Sequence, residues 1–245
     1  MAAPERLERP TFYALRAGGW RDLLTLLHPP YTAWHLSYVA IGASVAPHLD
    51  GNRLVWTLVA FLLGVGVSAH ALDELHGRPL KTGLSDRTLV VLALLSLSGA
   101  VAIGVIGALS ISLWLLVFVA AGALITVAYN LELFGGRMHS DLWFAAAWGA
   151  FPALTAFFAQ AEELRLDGLL VAAACLMLSI AQRRLSTPVR ELRRRTESVR
   201  GEQRLKDGRI VELDATAVMA PMEGALMACS LGMVLLAAGL VAARL

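Results

Sequence analysis

The stretch SAHALDELHGRPLKTG, residues 68–83, gathers His70, Asp73, Glu74, His76, Arg78 and Lys81 directly behind the uncharged run LVWTLVAFLLGVGV at 54–67. If the helix implied by that run continues through Leu75, then His70, Asp73 and Glu74 stand at i, i+3 and i+4 on one face. An imidazole and two carboxylates there suit a divalent cation. Oxygen-rich sites with few protein ligands favour magnesium, which keeps waters and takes its remaining ligands from substrate phosphates. His70, Asp73 and Glu74 are therefore candidate metal ligands, Asp73 and Glu74 the candidate catalytic acids, and Arg78 and Lys81 candidate phosphate binders. A plainer reading competes with this one. Glu74 and Arg78 are also i, i+4, which suits a local ion pair capping a helix end.

Other polar residues sit in apolar surroundings. His35 lies inside an apolar run, where an imidazole must face protein or water, and an interhelical hydrogen bond is the expected role. Tyr129 and Asn130 close another run and are candidate substrate-binding residues, although a tyrosine at such a boundary also serves as an interfacial anchor. Arg137, His139 and Asp141 follow them, and Glu223 comes just after Pro221. The segment RRLSTPVRELRRRTESVRG, 183–201, is dense in arginine and reads either as a solvated grip on anionic lipid heads or as a phosphate-binding surface. The chain contains no phosphate-binding glycine loop, nucleophile elbow or HExxH motif, so kinase, hydrolase and protease readings lack support.

The elements that carry these residues follow from composition. Hydrophobic residues make up 57% of the 245, charged residues 16%, and the mean hydropathy is +0.63. Soluble domains sit near half apolar and a quarter charged, so the chain reads as a polytopic membrane protein. Backbone polar groups cannot go unpaired in lipid, which makes the spans helices and the fold all-α. Seven stretches approach the ~20 residues a crossing needs: 31–47, 54–72, 88–106, 110–130, 142–160, 167–182 and 219–243, of which the first and sixth are the shortest. The continuous run 88–130 divides at Gly107–Ser110, where small and polar residues permit a hairpin. Cys175 and Cys229 both fall in apolar runs and read as packing residues.

The organisation expected is an interfacial segment at 1–30, then one transmembrane helical domain at 31–245 with a basic loop at 183–218. Residues 17–28 suit an amphipathic segment lying on the membrane surface, ended by Pro29-Pro30. Of the 21 lysines and arginines, 18 fall in alternate connecting segments that include the N-terminus and 183–218. The positive-inside rule makes that set cytoplasmic in a multi-pass protein of the cell membrane. Residues 1–30 carry Arg6, Arg9, Arg16 and Arg21 without the short apolar core of a cleavable signal.

At this point the pattern resembles the UbiA superfamily of intramembrane prenyltransferases. LHPPYTAWHLSYVAIGAS looks like that family's first helix. VSAHALDELHGRPLKTGLS sits where the family has its first aspartate motif, NDxxDxxxD, followed by an RPL-x-x-G stretch. AYNLELFGGRMHSDLWFAAAWGAFPALTAFFAQ resembles its fourth-to-fifth helix segment, and RRRTESVRG the tail after its second motif. The likeness covers about residues 28–201. It departs where Ala69, His70 and Gly77 stand at the asparagine, first aspartate and third aspartate of the first motif. In the second motif, DxxxD, Leu185 and Val189 stand at the acidic positions, and the chain has about seven spans against the usual nine. The resemblance implies a UbiA-like bundle that moves an isoprenyl group from a prenyl diphosphate to a lipophilic acceptor, with magnesium at the first motif. Arg190 and Arg193 are then candidates to replace the missing second metal site. The alternative is a family-derived membrane protein that binds a lipid or metal, or acts as a scaffold, without turnover. Either way the partners are a lipid and its membrane, with nothing pointing to nucleic acid.

Overall fold

The computed structural model describes residues 9–245. The described chain forms α1 (Trp20–Leu26), α2 (Pro29–Val45), α3 (Gly51–Leu75), α4 (Asp86–Ser110), α5 (Leu115–Asn130), α6 (Asp141–Ala161), α7 (Leu166–Arg194), an antiparallel hairpin of β1 (Gly201–Arg204) and β2 (Ile210–Leu213), and α8 (Ala215–Ala242). Local chemistry starts several of these. The side chains of Asp50, Ser85, Ser140 and Asp214 accept hydrogen bonds from backbone N–H groups in the first turns of α3, α4, α6 and α8. Pro29 and Pro30 open α2, and His28 before them takes a left-handed φ of 46°. A residue preceding proline is disfavoured in the right-handed helical region, so the helix cannot extend back through it.

Among the described residues five helices, α3, α4, α6, α7 and α8, are long and apolar enough to cross a membrane. The chain is a multi-pass helical membrane bundle. Each of the seven expected stretches lies largely on one helix, but two boundaries differ. The sixth, expected to be short, belongs to the 29-residue α7, so residues 183–194 of the expected loop are helical. The reason is amphipathic packing: Cys175, Ser179, Gln182, Ser186 and Val189 are buried at alternating spacings of four and three, and this stripe carries the helix through its charged end past Pro188. The fourth starts at Leu115, and the turn expected at 107–110 falls at 111–114.

α2 is the central helix. Only 17 residues long, it is buried almost all round, between α6, α7 and α8. Its contact with α6 is backbone-close: a Cβ at Gly42 would stand 2.1 Å from the Ala153 carbonyl oxygen. Close approach through small residues is how helices associate where lipid supplies no hydrophobic drive. In contrast α4 shows Leu94, Leu95 and Ile106 outward, each more than half exposed. α3 and α6 each contain a π-helical segment, Leu62–Ala69 and Ala146–Ala150.

The connections sort to two ends. At one, Gln160 exchanges hydrogen bonds with the Asp50 backbone, Arg53 pairs with Glu162 at 2.9 Å, and Arg244 donates to the carbonyls of Ala46 and Pro47. At the other meet the N-terminal segment, the loops after α3 and α5, and the charged end of α7.

Candidate functional site

The site begins with the loop that follows α3. Glu74 is completely buried, and its carboxylate accepts hydrogen bonds from the backbone N–H of Leu80 and Thr82, at 2.8 Å each, and from the Thr82 hydroxyl at 2.9 Å. These bonds hold a tight loop in which Arg78 and Lys81 both adopt positive φ, 54°. Asp22 of α1 fixes the same loop from the other side, accepting from the N–H groups of Gly18 and Gly83. The Arg78 guanidinium donates to the Leu84 carbonyl and pairs with Asp86 at the start of α4. The local Glu74–Arg78 ion pair therefore does not form, because each has a different partner.

Beside this loop lies a polar cavity of about 520 Å³. α3 contributes His70 and Asp73, α5 contributes Tyr129 and Asn130, and the last turns of α7 contribute Gln182, Arg183, Arg190, Arg193 and Arg194. Residues 10–13 and His28 close it from the N-terminal side. The arginines differ in how far they are committed. Arg183 pairs with Asp141 at 2.7 Å and lies 5.0 Å over the Phe144 ring. Arg193 pairs with Glu223 of α8 at 2.6 Å and donates to the Arg9 carbonyl. Arg194 donates to the Pro10 carbonyl. Arg190 has one hydrogen bond among the described residues, to the Thr187 hydroxyl of its own helix, and no carboxylate partner. Across the cavity Asp73 makes neither hydrogen bond nor ion pair among the described residues and lies within electrostatic reach of Arg190 and Arg194.

Five buried side-chain polar atoms among the described residues have no partner, and four belong to residues of this cavity: Thr11 Oγ1, His28 Nε2, Tyr129 Oη and Gln182 Oε1. Buried polar groups are ordinarily paired, so such a concentration marks a place built to meet a ligand or bound water. Tyr13 Oη lies 2.5 Å from His28 Nδ1. Burial holds the His28 imidazole well below its ordinary value and the Tyr13 phenol well above, so both are neutral near pH 7. The His28 ring stacks on His70 at 4.2 Å.

Six residues expected at the site, His70, Asp73, Tyr129, Asn130, Arg190 and Arg193, line this one cavity, while Glu74, Arg78 and Lys81 stand outside it. The expected metal triad is thereby divided. Both Glu74 oxygens are committed to the loop, and His70 Nδ1 bonds the Gly66 carbonyl at 3.0 Å. No group of three or more His, Cys, Asp or Glu side chains arranged for a metal occurs among the described residues. His35 makes an interhelical hydrogen bond, Nδ1 to the Trp148 carbonyl at 2.8 Å. Reading the residues by type missed Tyr13, His28 and Gln182. The one available signal was the His-Pro-Pro helix start, which forces an unusual backbone at His28.

An apolar chamber of about 530 Å³ lies deeper, among α3, α4, α5 and α6, lined by residues such as Phe61, Leu97, Val101, Phe118 and Phe151. It reaches the opposite end of the bundle at Asp50, Asn52 and Arg53. Val65 and Trp148 line both this chamber and the polar cavity. Fold and site together define a helical membrane protein with a basic, incompletely paired cavity at one end and an apolar chamber behind it. No family model matches the chain, and no curated protein or solved structure matches it.

Proposed function

We propose that the protein is a UbiA-like integral membrane prenyltransferase, taking a prenyl diphosphate in the polar cavity and transferring its isoprenyl group to a lipophilic acceptor. The observation that carries this reading is the Arg190 guanidinium, without a carboxylate ion-pair partner among the described residues, beside unpartnered polar groups in a cavity backed by an apolar chamber of similar size. Arginine suits a diphosphate because its planar fork binds phosphate bidentately and stays charged. In the reaction the bond between the isoprenyl C1 and the bridging oxygen breaks and pyrophosphate leaves with the electron pair. The acceptor atom then bonds C1 and loses its proton. Arg190, with Arg194, neutralises the charge developing on the leaving group. Magnesium, which the family resemblance implies, has Asp73 as the one acidic side chain of the expected triad that faces the cavity. That ion commonly takes only one or two carboxylates beside substrate phosphates.

In this reading all seven expected stretches cross the membrane, with α2 and α5 as the short spans, and the arginine-rich end faces the cytoplasm. Cysteine labelling at Ser198 should then succeed only from the cytoplasmic side. Glu74 favours a second reading. Its carboxylate is consumed by loop structure, which leaves a site able to bind a lipid diphosphate with less acidic machinery than a transferase of the family uses. Incubating purified protein in detergent with labelled geranylgeranyl diphosphate, with and without magnesium, and a lipid extract as acceptor separates the two. Labelled lipid with released pyrophosphate supports transfer, whereas binding without product supports the non-catalytic reading.

A further inference from the structure

The partition between the two cavities is built differently from the rest of the bundle. Val65 and Trp148, the two side chains common to both linings, each lie inside a π-helical segment, and they pack in one apolar cluster with Ala69, Tyr129 and Ala147. A π segment inserts a residue into the helical ladder, locally widens the helix and is found disproportionately at functional positions. Two of them meeting at one wall is a second observation beside the shared lining. A third is a narrow crevice beside Val65, also lined by Thr32, His35, Leu36 and Phe61, with no room for a water molecule. It shares His35 with the polar cavity and Phe61 with the apolar chamber, so the two spaces come close to each other there.

The two sides of the partition are held unequally. Trp148 is fixed at three points: its carbonyl takes the His35 hydrogen bond, its ring sits edge-on to Tyr129 at 5.6 Å, and Gly149 beside it is pressed against α7. A Cβ at Gly149 would come 2.5 Å from Ser179 Oγ. Val65 is small and flanked by Gly64 and Gly66. Trp148 is thus the fixed jamb and Val65 the side whose bulk sets the opening.

We propose that Val65 and Trp148 form a gate between the polar cavity and the apolar chamber and so determine the length of isoprenyl chain the site accepts. This rests on the reading of the polar cavity as a diphosphate site. Arg190, Val65 and Trp148 line the same cavity, so in this reading the chain of a head group held by Arg190 runs toward the partition. A short chain ends before the gate, whereas a long one gains the apolar chamber only by passing between the two side chains. Each methylene that enters leaves water or polar surroundings for apolar ones, so affinity rises with chain length only while the gate is open.

The test measures binding of inorganic pyrophosphate, geranyl diphosphate and geranylgeranyl diphosphate to detergent-solubilised wild type, Val65→Phe and Trp148→Leu. Wild type should bind the twenty-carbon ligand at least tenfold more tightly than the ten-carbon one. Val65→Phe should reduce that ratio to below threefold while pyrophosphate still binds, and Trp148→Leu should keep or raise it. The opposite direction of the two variants guards against general damage, and a thermal melt of each confirms folding. A Val65→Phe protein that binds pyrophosphate and retains the full chain-length ratio overturns the gate and leaves the diphosphate site standing. Failure of wild type to bind any of the three ligands overturns the diphosphate reading, and the gate with it.

Discussion

Two charged stretches meet at the cavity mouth, an acid-bearing one at 68–83 with two acids and two bases and a basic one at 183–201 with seven arginines and two acids, and the fold uses them in opposite ways. On the acidic side the most conspicuous group, Glu74, is buried and answered by three donors, and Arg78 is tied to Asp86 and Leu84. On the basic side the charge is graded. Arg193 is locked to Glu223, Arg183 to Asp141, and Arg190 among the described residues hydrogen-bonds one hydroxyl, that of Thr187. Charge density along the chain therefore says where ionic groups collect. It does not say which of them remain available to a ligand. A buried ion whose partners are all internal is a structural part, and one left with unmet hydrogen-bonding capacity is a binding part.

Substitutions on each side should break this contrast or sharpen it. The largest effect is expected from Arg193→Gln. Its ion pair with Glu223 has side chains only 5% and 18% exposed, and removing one partner of such a pair costs about 3–5 kcal/mol. Denaturation in mixed micelles should show that loss, and stability equal to wild type would return Arg193 to the ligand-binding group. Glu74→Ala comes next. It strands the Leu80 and Thr82 N–H groups, a cost of about 3 kcal/mol, and should appear as a lowered melting temperature, whereas Asp73→Asn should leave the melt near wild type.

Arg190→Gln should reverse that pattern. Pyrophosphate affinity should fall at least tenfold, equivalent to ~1.4 kcal/mol, with an unaltered melt, and unchanged affinity in titration calorimetry would count Arg190 as a surface grip. The smallest effect is a pH dependence. Burial depresses the folded-state pKa of His28 below its ordinary 6.5, so the unfolded chain takes up a proton that the folded protein resists. This contribution is complete above pH 6.5 and is lost as pH falls below it, by at most ~1.4 kcal/mol per pH unit. Melts at pH 7.5 and 5.5 should differ less in His28→Asn than in wild type.

Much of this was legible along the chain. Long uncharged runs and the need to pair every backbone group in lipid determined a helical membrane bundle. The i, i+3, i+4 spacing brought His70 and Asp73 to a common cavity, since helical periodicity is a local property. The extension of α7 to Arg194 was not legible, because a run of arginines reads as loop unless the buried stripe of Ser186 and Val189 beneath it is known. Glu74 shared the helical face of its neighbours in the sequence. Only the return of the 76–85 loop decided that its carboxylate would be spent on Leu80 and Thr82. In the same way, the distant contacts that tie Arg193 to Glu223, set Tyr13 on His28 and bring Val65 against Trp148 join residues far apart in the chain. Residue type and spacing supply the charges and the helices that carry them. Tertiary packing decides which charges are already paired, because a partner from another element leaves no periodic trace in the sequence.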